Sequence, residues 1–61
     1  MRTPAERAKT YRLRAEEVRT AADDMRHEVS RATLLRIARD YDLMADHFEA
    51  KIDQARWQKT P

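Results

Sequence analysis

The sequence predicts an all-α protein: a two-helix antiparallel hairpin that dimerises into a four-helix bundle. Three observations lead there. There is no glycine, and the two prolines, Pro4 and Pro61, stand near the ends of the 61 residues, so tight β-hairpin turns have little to form on. Apolar residues recur in two runs at alternating steps of three and four, the spacing of helices with one buried face. The phase of that recurrence then breaks once, near the middle of the chain.

Helix 1 has a clear start. Thr3 fits the N-cap, Pro4 the first helical position, and Glu6 completes a capping box. Ala8, Tyr11, Ala15, Val18, Ala22 and Met25, with Val29 beyond them, form a heptad seam. The helix is therefore expected over about 4–26. Alanine at the first position of each heptad lets a partner helix approach closely. Arg12, Arg19 and Arg26 flank one side of the seam, and Arg7 and Arg14 the other. Glu16 and Asp23 follow Arg12 and Arg19 by four residues, a spacing that suggests intrahelical ion pairs worth ~0.3 kcal/mol.

Between Arg26 and Ser30 the pattern shifts. The first seam extended would reach Ala32, but the second run is anchored at Leu34. Two residues amount to about 200° of helix rotation, so one unbroken helix would aim its two apolar faces to nearly opposite sides. Such a helix would need different partners along its length. A turn that folds the two faces together is the expected solution, with Ser30 or His27 starting a second helix over about 29–58.

Helix 2 carries Leu34, Ala38, Tyr41, Ala45, Phe48 and Ile52 in one row, with Ile37 and Met44 in a second row beside it. A face this wide can touch two neighbours, whereas a strict two-position seam serves one. A lone hairpin of this length has only a strip of core, near the size at which folding becomes marginal. A homodimer answers both problems. Leu34, Ile37, Ala38, Tyr41, Met44, Ala45, Phe48 and Ile52 then form the core and dimer interface, with helix 2 of each copy at the bundle centre. Helix 2 should overhang helix 1 by one or two turns. Trp57, off the main row near that end, either caps the partner's hairpin or anchors another protein.

Two segments resemble a known group. Tyr11-Arg12-Leu13-Arg14-Ala15-Glu16-Glu17, followed by Arg31-Ala32-Thr33-Leu34-Leu35-Arg36-Ile37-Ala38-Arg39-Asp40-Tyr41-Asp42, is similar to very short, uncharacterised helical proteins of alphaproteobacteria. The likeness covers roughly residues 11 to 48. Relatives often have Asp-Pro at the turn, where this chain has His27-Glu28. The resemblance implies a bacterial, cytoplasmic protein and brings no activity with it.

Composition narrows the function classes. Charged residues make up 39% of the chain, which suits amphipathic helices better than a thick core. Without cysteine there is neither a disulfide nor a thiolate metal site, and a reducing cytoplasm is expected. Met1–Arg7 has no apolar stretch of the secretory type, and no run approaches the ~20 apolar residues of a membrane span. No membrane partner is expected. For a metal, the nearest match to a bundle-core site is Asp24-x-x-His27, off the seam, and no second histidine joins His47. The acidic stripe Asp42, Asp46, Glu49 and Asp53 lies on a straight helical face, where oxygens diverge and do not surround an ion. It reads as the counterpart of Arg12, Arg19 and Arg26 across the hairpin or the dimer. No metal or cofactor is expected. No nucleophile stands with a base, since capping explains Ser30, so no enzyme is expected.

The function expected is therefore a non-enzymatic homodimer that acts as a protein–protein interaction module, binding itself and another protein. The alternative is a small basic nucleic-acid-binding protein using Arg7, Arg12, Arg14 and Arg19, although Glu6, Glu16 and Glu17 interrupt that patch.

Overall fold

The computed structural model describes residues 2–58, with side chains as far as residue 54. Helices α1 (Pro4–Asp23) and α2 (Glu28–Gln58) pack along each other as an antiparallel hairpin. Trp57 falls within α2, but its side chain lies outside the described residues.

The start of α1 follows from its sequence. Thr3 is extended, and its Oγ1 accepts a hydrogen bond from the Glu6 amide at 3.2 Å, with Pro4 opening the first turn. One of the amides that a helix start leaves unpaired is thereby satisfied. The other end departs from expectation. Instead of continuing to about residue 26, α1 stops at Asp23, and Met25 sits in the turn, 38% exposed. Met25 is therefore not part of the hairpin seam, and Val29, 69% exposed, does not extend it either. Asp23 and Asp24 explain the early stop. Aspartate is a poor helix former, and negative charge is unfavourable at a helix C-terminus, where this last turn has no basic residue to offset it.

The turn closes without glycine and without any positive φ among the described residues. Asp24 and Met25 donate to the carbonyls of Ala21 and Ala22, three residues back, at 3.2 and 3.1 Å. This tighter bonding ends the helix. Arg31 then reaches back from α2, and its guanidinium donates to the Met25 carbonyl at 2.9 Å. His27 starts α2: its carbonyl accepts the Arg31 amide at 3.0 Å.

The core is a single seam. Among the described residues, those buried in it are Ala8, Ala15, Ala22, Ala38 and Ala45, every one an alanine. Tyr11, Val18, Leu34, Tyr41, Phe48 and Ile52 are half-buried around them. The Tyr11 ring lies 5.7 Å from Phe48, nearly parallel, and 6.0 Å from Tyr41. A ring that touches both of these residues, two turns apart on α2, lies over the turn between them, at Ala45. Antiparallel pairing fixes the rest of the register, because each step forward on α1 is a step back on α2. Ala8 then faces Phe48, Ala15 faces Tyr41, Val18 faces Ala38, and Ala22 faces Leu34. Large faces small in every layer. The same register brings Ile52 level with Pro4, so α2 runs on beyond the start of α1. By the rise per residue α1 is ~30 Å long and α2 ~46 Å.

The two helices also repeat each other. Residues 8, 11, 13 and 15 are Ala, Tyr, Leu and Ala, and so are residues 38, 41, 43 and 45. The helices are thus related by an approximate two-fold axis, and these four equivalent pairs share the same degree of burial.

Two outcomes test this packing. Ala15→Leu puts a large side chain against Tyr41 and should destabilise the hairpin by about 1–3 kcal/mol. The same change at exposed Ala50 should stay within about 0.5 kcal/mol. Equal thermal melts for the two variants would show that the helices do not meet through their alanines. Thr3→Ala should cost about 1 kcal/mol through loss of the cap.

Candidate functional site

Two flanks border the seam, and they differ in chemistry. On the first, the α1 positions Arg12 and Arg19 correspond through the repeat to Asp42 and Glu49 on α2. The axis relating the helices therefore brings opposite charges together. Arg12 collects three carboxylates: it donates to Asp42 at 3.0 Å, to Asp46 at 2.6 Å, and to Glu49 through Nε and Nη2 at 3.1 and 2.8 Å. Arg19 donates to the other oxygen of Asp42 at 2.8 Å. Asp42 thus bridges two guanidiniums.

These bonds replace the intrahelical pairs that the spacing suggested. Arg12 reaches α2 rather than Glu16, and Arg19 reaches Asp42 rather than Asp23. Across the helix pair each arginine meets acceptors that its planar fork can match, whereas a neighbour four residues on offers only one. Arg26, expected in the same row, lies in the turn and has no part in the cluster. Asp53, the last residue of the acidic stripe, makes none of these bonds.

The cluster polarises its members. Hydrogen bonds to Asp46, Asp42 and Glu49 push the Arg12 guanidinium above its already high pKa, so it stays charged at any accessible pH. Arg19 first, and Arg12 second, pull the Asp42 carboxyl below the usual aspartate value. Among the described residues no group of histidine, aspartate or glutamate side chains stands as a metal cage. The acidic stripe converges on a cation supplied by α1. Asp24 and His27 are exposed at the turn, and His47 is exposed with its ring edge-on to Phe48 at 5.6 Å.

The second flank has no such pairing. Arg7 and Arg14 on α1 correspond to Ile37 and Met44 on α2. Ile37 is 38% and Met44 44% exposed, so the second apolar row of α2 remains uncovered once α1 has docked. The Arg7 guanidinium rests over the Phe48 ring at 5.6 Å, with the Lys51 ammonium 5.5 Å from the same ring. Arg14 makes a loose contact with Glu17 at 3.6 Å, one turn along its own helix. On this flank Arg2, Arg7, Thr10, Tyr11, Arg14 and Tyr41 line an open hollow of about 430 Å³. The Thr10 hydroxyl donates to the Glu6 carbonyl at 3.0 Å, which leaves only its lone pairs facing outward.

The four arginines expected to act together are thus divided by the seam. Arg12 and Arg19 are bound to carboxylates on one flank, while Arg7 and Arg14 border the hollow on the other. The hollow itself escaped the sequence reading, because it needs Tyr41, distant in the chain, to come beside Tyr11. The thirty-residue repeat of Ala-x-x-Tyr-x-Leu-x-Ala marks the two helices as equivalent but leaves their slide open. Comparison with protein-family models, with curated proteins and with solved structures finds no match to this chain.

The charge cluster makes stability depend on pH in one direction. The folded chain holds Asp42 deprotonated more strongly than the unfolded chain does. Its contribution is present above the unperturbed value of about 3.9, and it is lost as pH falls through the lower folded value. Melting curues recorded by circular dichroism from neutral pH down to about pH 2 should show the drop only below about pH 4. Arg12→Gln should lower the melting temperature at neutral pH and flatten the acid drop, an effect that Arg39→Gln should not reproduce.

Proposed function

We propose that this chain is a non-enzymatic protein–protein interaction module that works as a homodimer, two hairpins packing into a four-helix bundle. One observation carries the reading: Ile37 and Met44 stay exposed beside the buried seam after α1 has covered the first row of α2. A second copy fits that strip. Under two-fold symmetry the strip meets itself, so a single row of apolar side chains suffices for both partners. The thin core supports the same conclusion, since among the described residues every fully buried one is an alanine and no large side chain is completely enclosed. Docking a second α2 would enclose Tyr41 and Phe48 further and add the apolar area that one hairpin lacks.

No helix among the described residues is long and apolar enough to cross a membrane. The same reading is of a bacterial, cytoplasmic protein, supported by the cysteine-free sequence and by the resemblance in residues 11 to 48. Nucleic-acid contact through all four arginines is the weaker alternative, because Arg12 and Arg19 already donate to Asp42, Asp46 and Glu49.

Light scattering over a dilution series tests the dimer. The wild type should show twice the chain mass of 7.3 kDa. Ile37→Glu combined with Met44→Glu should give the single-chain mass with helicity retained, because both sites lie outside the seam between α1 and α2. A wild type that stays monomeric across the series overturns the proposal.

A further inference from the structure

We infer that the hollow on the Arg7 flank binds a nucleotide: a phosphate group held by arginines, with a planar ring against the tyrosines. The inference goes beyond self-association and does not rest on it, because five of the six lining residues belong to the α1 side and only Tyr41 comes from α2.

Charge is the first support. Arg2, Arg7 and Arg14 all reach the hollow, and among the described residues no carboxylate lines it. Arg14 has Glu17 nearby at 3.6 Å, and neither Arg2 nor Arg7 makes an ion pair among the described residues. The hollow therefore holds about two uncompensated positive charges. A phosphate monoester near neutral pH carries about −1.5 to −2, which matches them; a single carboxylate does not. Guanidinium forks also suit phosphate oxygens, because two parallel N–H donors can reach two oxygens at once.

Shape is the second. Bound sites for small organic molecules begin at about 300 Å³, and this hollow, at about 430 Å³, has room for far more than an inorganic phosphate. Its wall is aromatic. The Tyr11 and Tyr41 rings lie 6.0 Å apart and 30° from coplanar, and the parallel contact with Phe48 on the other side of Tyr11 holds that ring in place. Both tyrosines are half-buried and line the hollow, which leaves part of each ring for a flat ring to pack against. Bases pack on such side chains whatever their identity, because each has a π-face. The Thr10 hydroxyl has its proton committed to the Glu6 carbonyl, so it can accept from a base or sugar N–H or O–H but cannot donate to the phosphate.

The same chemistry has two sources, a free mononucleotide or one nucleotide of a single strand. Titration followed by the Tyr11 and Tyr41 ring resonances separates them, with adenosine 5′-monophosphate, adenosine, inorganic phosphate and a short single-stranded oligonucleotide as probes. Adenosine monophosphate should give saturable shifts of both rings, well ahead of adenosine or phosphate alone. Arg7→Gln and Arg14→Gln, at exposed positions that leave the seam intact, should each weaken it about tenfold. Arg39→Gln makes the same change of charge away from the hollow and should alter binding by less than about twofold. Ile37→Gln combined with Met44→Gln interrupts the apolar strip without placing a carboxylate beside Arg7 or Arg14, keeps every lining residue, and should bind as the wild type does. Binding that is no tighter for the oligonucleotide assigns the free mononucleotide; binding that tightens with strand length assigns the strand. The inference is overturned if no probe gives saturable shifts, if adenosine binds as well as its monophosphate, or if Arg39→Gln weakens binding as much as Arg7→Gln.

Discussion

The close contact of two helices through alanine is the constraint on which the rest of this structure depends. Ala8, Ala15 and Ala22 on α1 and Ala38 and Ala45 on α2 are the fully buried residues among those described. With only a methyl group at each of these points, the large side chains of the other helix can settle against the backbone rather than hold it away. Tyr11 over Ala45 and Tyr41 over Ala15 are the central layers. Close axes also set the reach of everything on the flanks. Arg12 spans three carboxylates on α2 because those carboxylates lie within one side chain's length of it. The aromatic wall of the hollow exists because Tyr11 and Tyr41 are drawn level from opposite helices.

An approximate two-fold axis places equivalent positions of α1 and α2 on the same flank, so identical residues there would face one another. Like charges at Arg12 and its equivalent would repel. The chain has Asp42 instead, and Glu49 where α1 has Arg19, which turns repulsion into a bridged cluster. Exposed ion pairs contribute little individually, and their main effect is to choose register and partner. Here they favour this hairpin over one slid by a heptad, since a slide would separate Arg12 from at least one of its carboxylates. The other flank departs from the repeat in a different way. Opposite Arg7 and Arg14 the chain places Ile37 and Met44, so cations and apolar groups share a surface on which neither is satisfied within the single hairpin.

That division ties the thin core to function. The flank with the Arg12 cluster is neutralised internally. The flank with Arg7, Arg14, Ile37 and Met44 is where a single hairpin has most to gain from contact. A second copy along the α2 strip would bury apolar surface, and a nucleotide in the α1 hollow would neutralise guanidinium charge. The two surfaces are neighbours and meet at Tyr41, which lines the hollow and which a second copy would also enclose.

Sequence by itself determined the helices, the cap and the seam. Local capping chemistry at Thr3 and the three-and-four spacing of Ala8 through Ala22 and Leu34 through Ile52 need no distant information, because helix geometry alone carries them. The complementarity of the arginine row and the acidic stripe was legible too, since both are periodic along their own helices. The end of α1 was misread at Met25, where apolar periodicity continued past the point at which Asp23 and Asp24 ended the helix. What only tertiary structure decided is which residues come level. Ring contacts from Tyr11 to Tyr41 and Phe48 set that register, and from it follow the three carboxylates on Arg12, the hollow between Arg2 and Tyr41, and the exposure of Ile37 and Met44. A period of seven fixes which face of a helix is buried but is blind to a slide of one heptad; only side chains meeting across the interface remove that ambiguity.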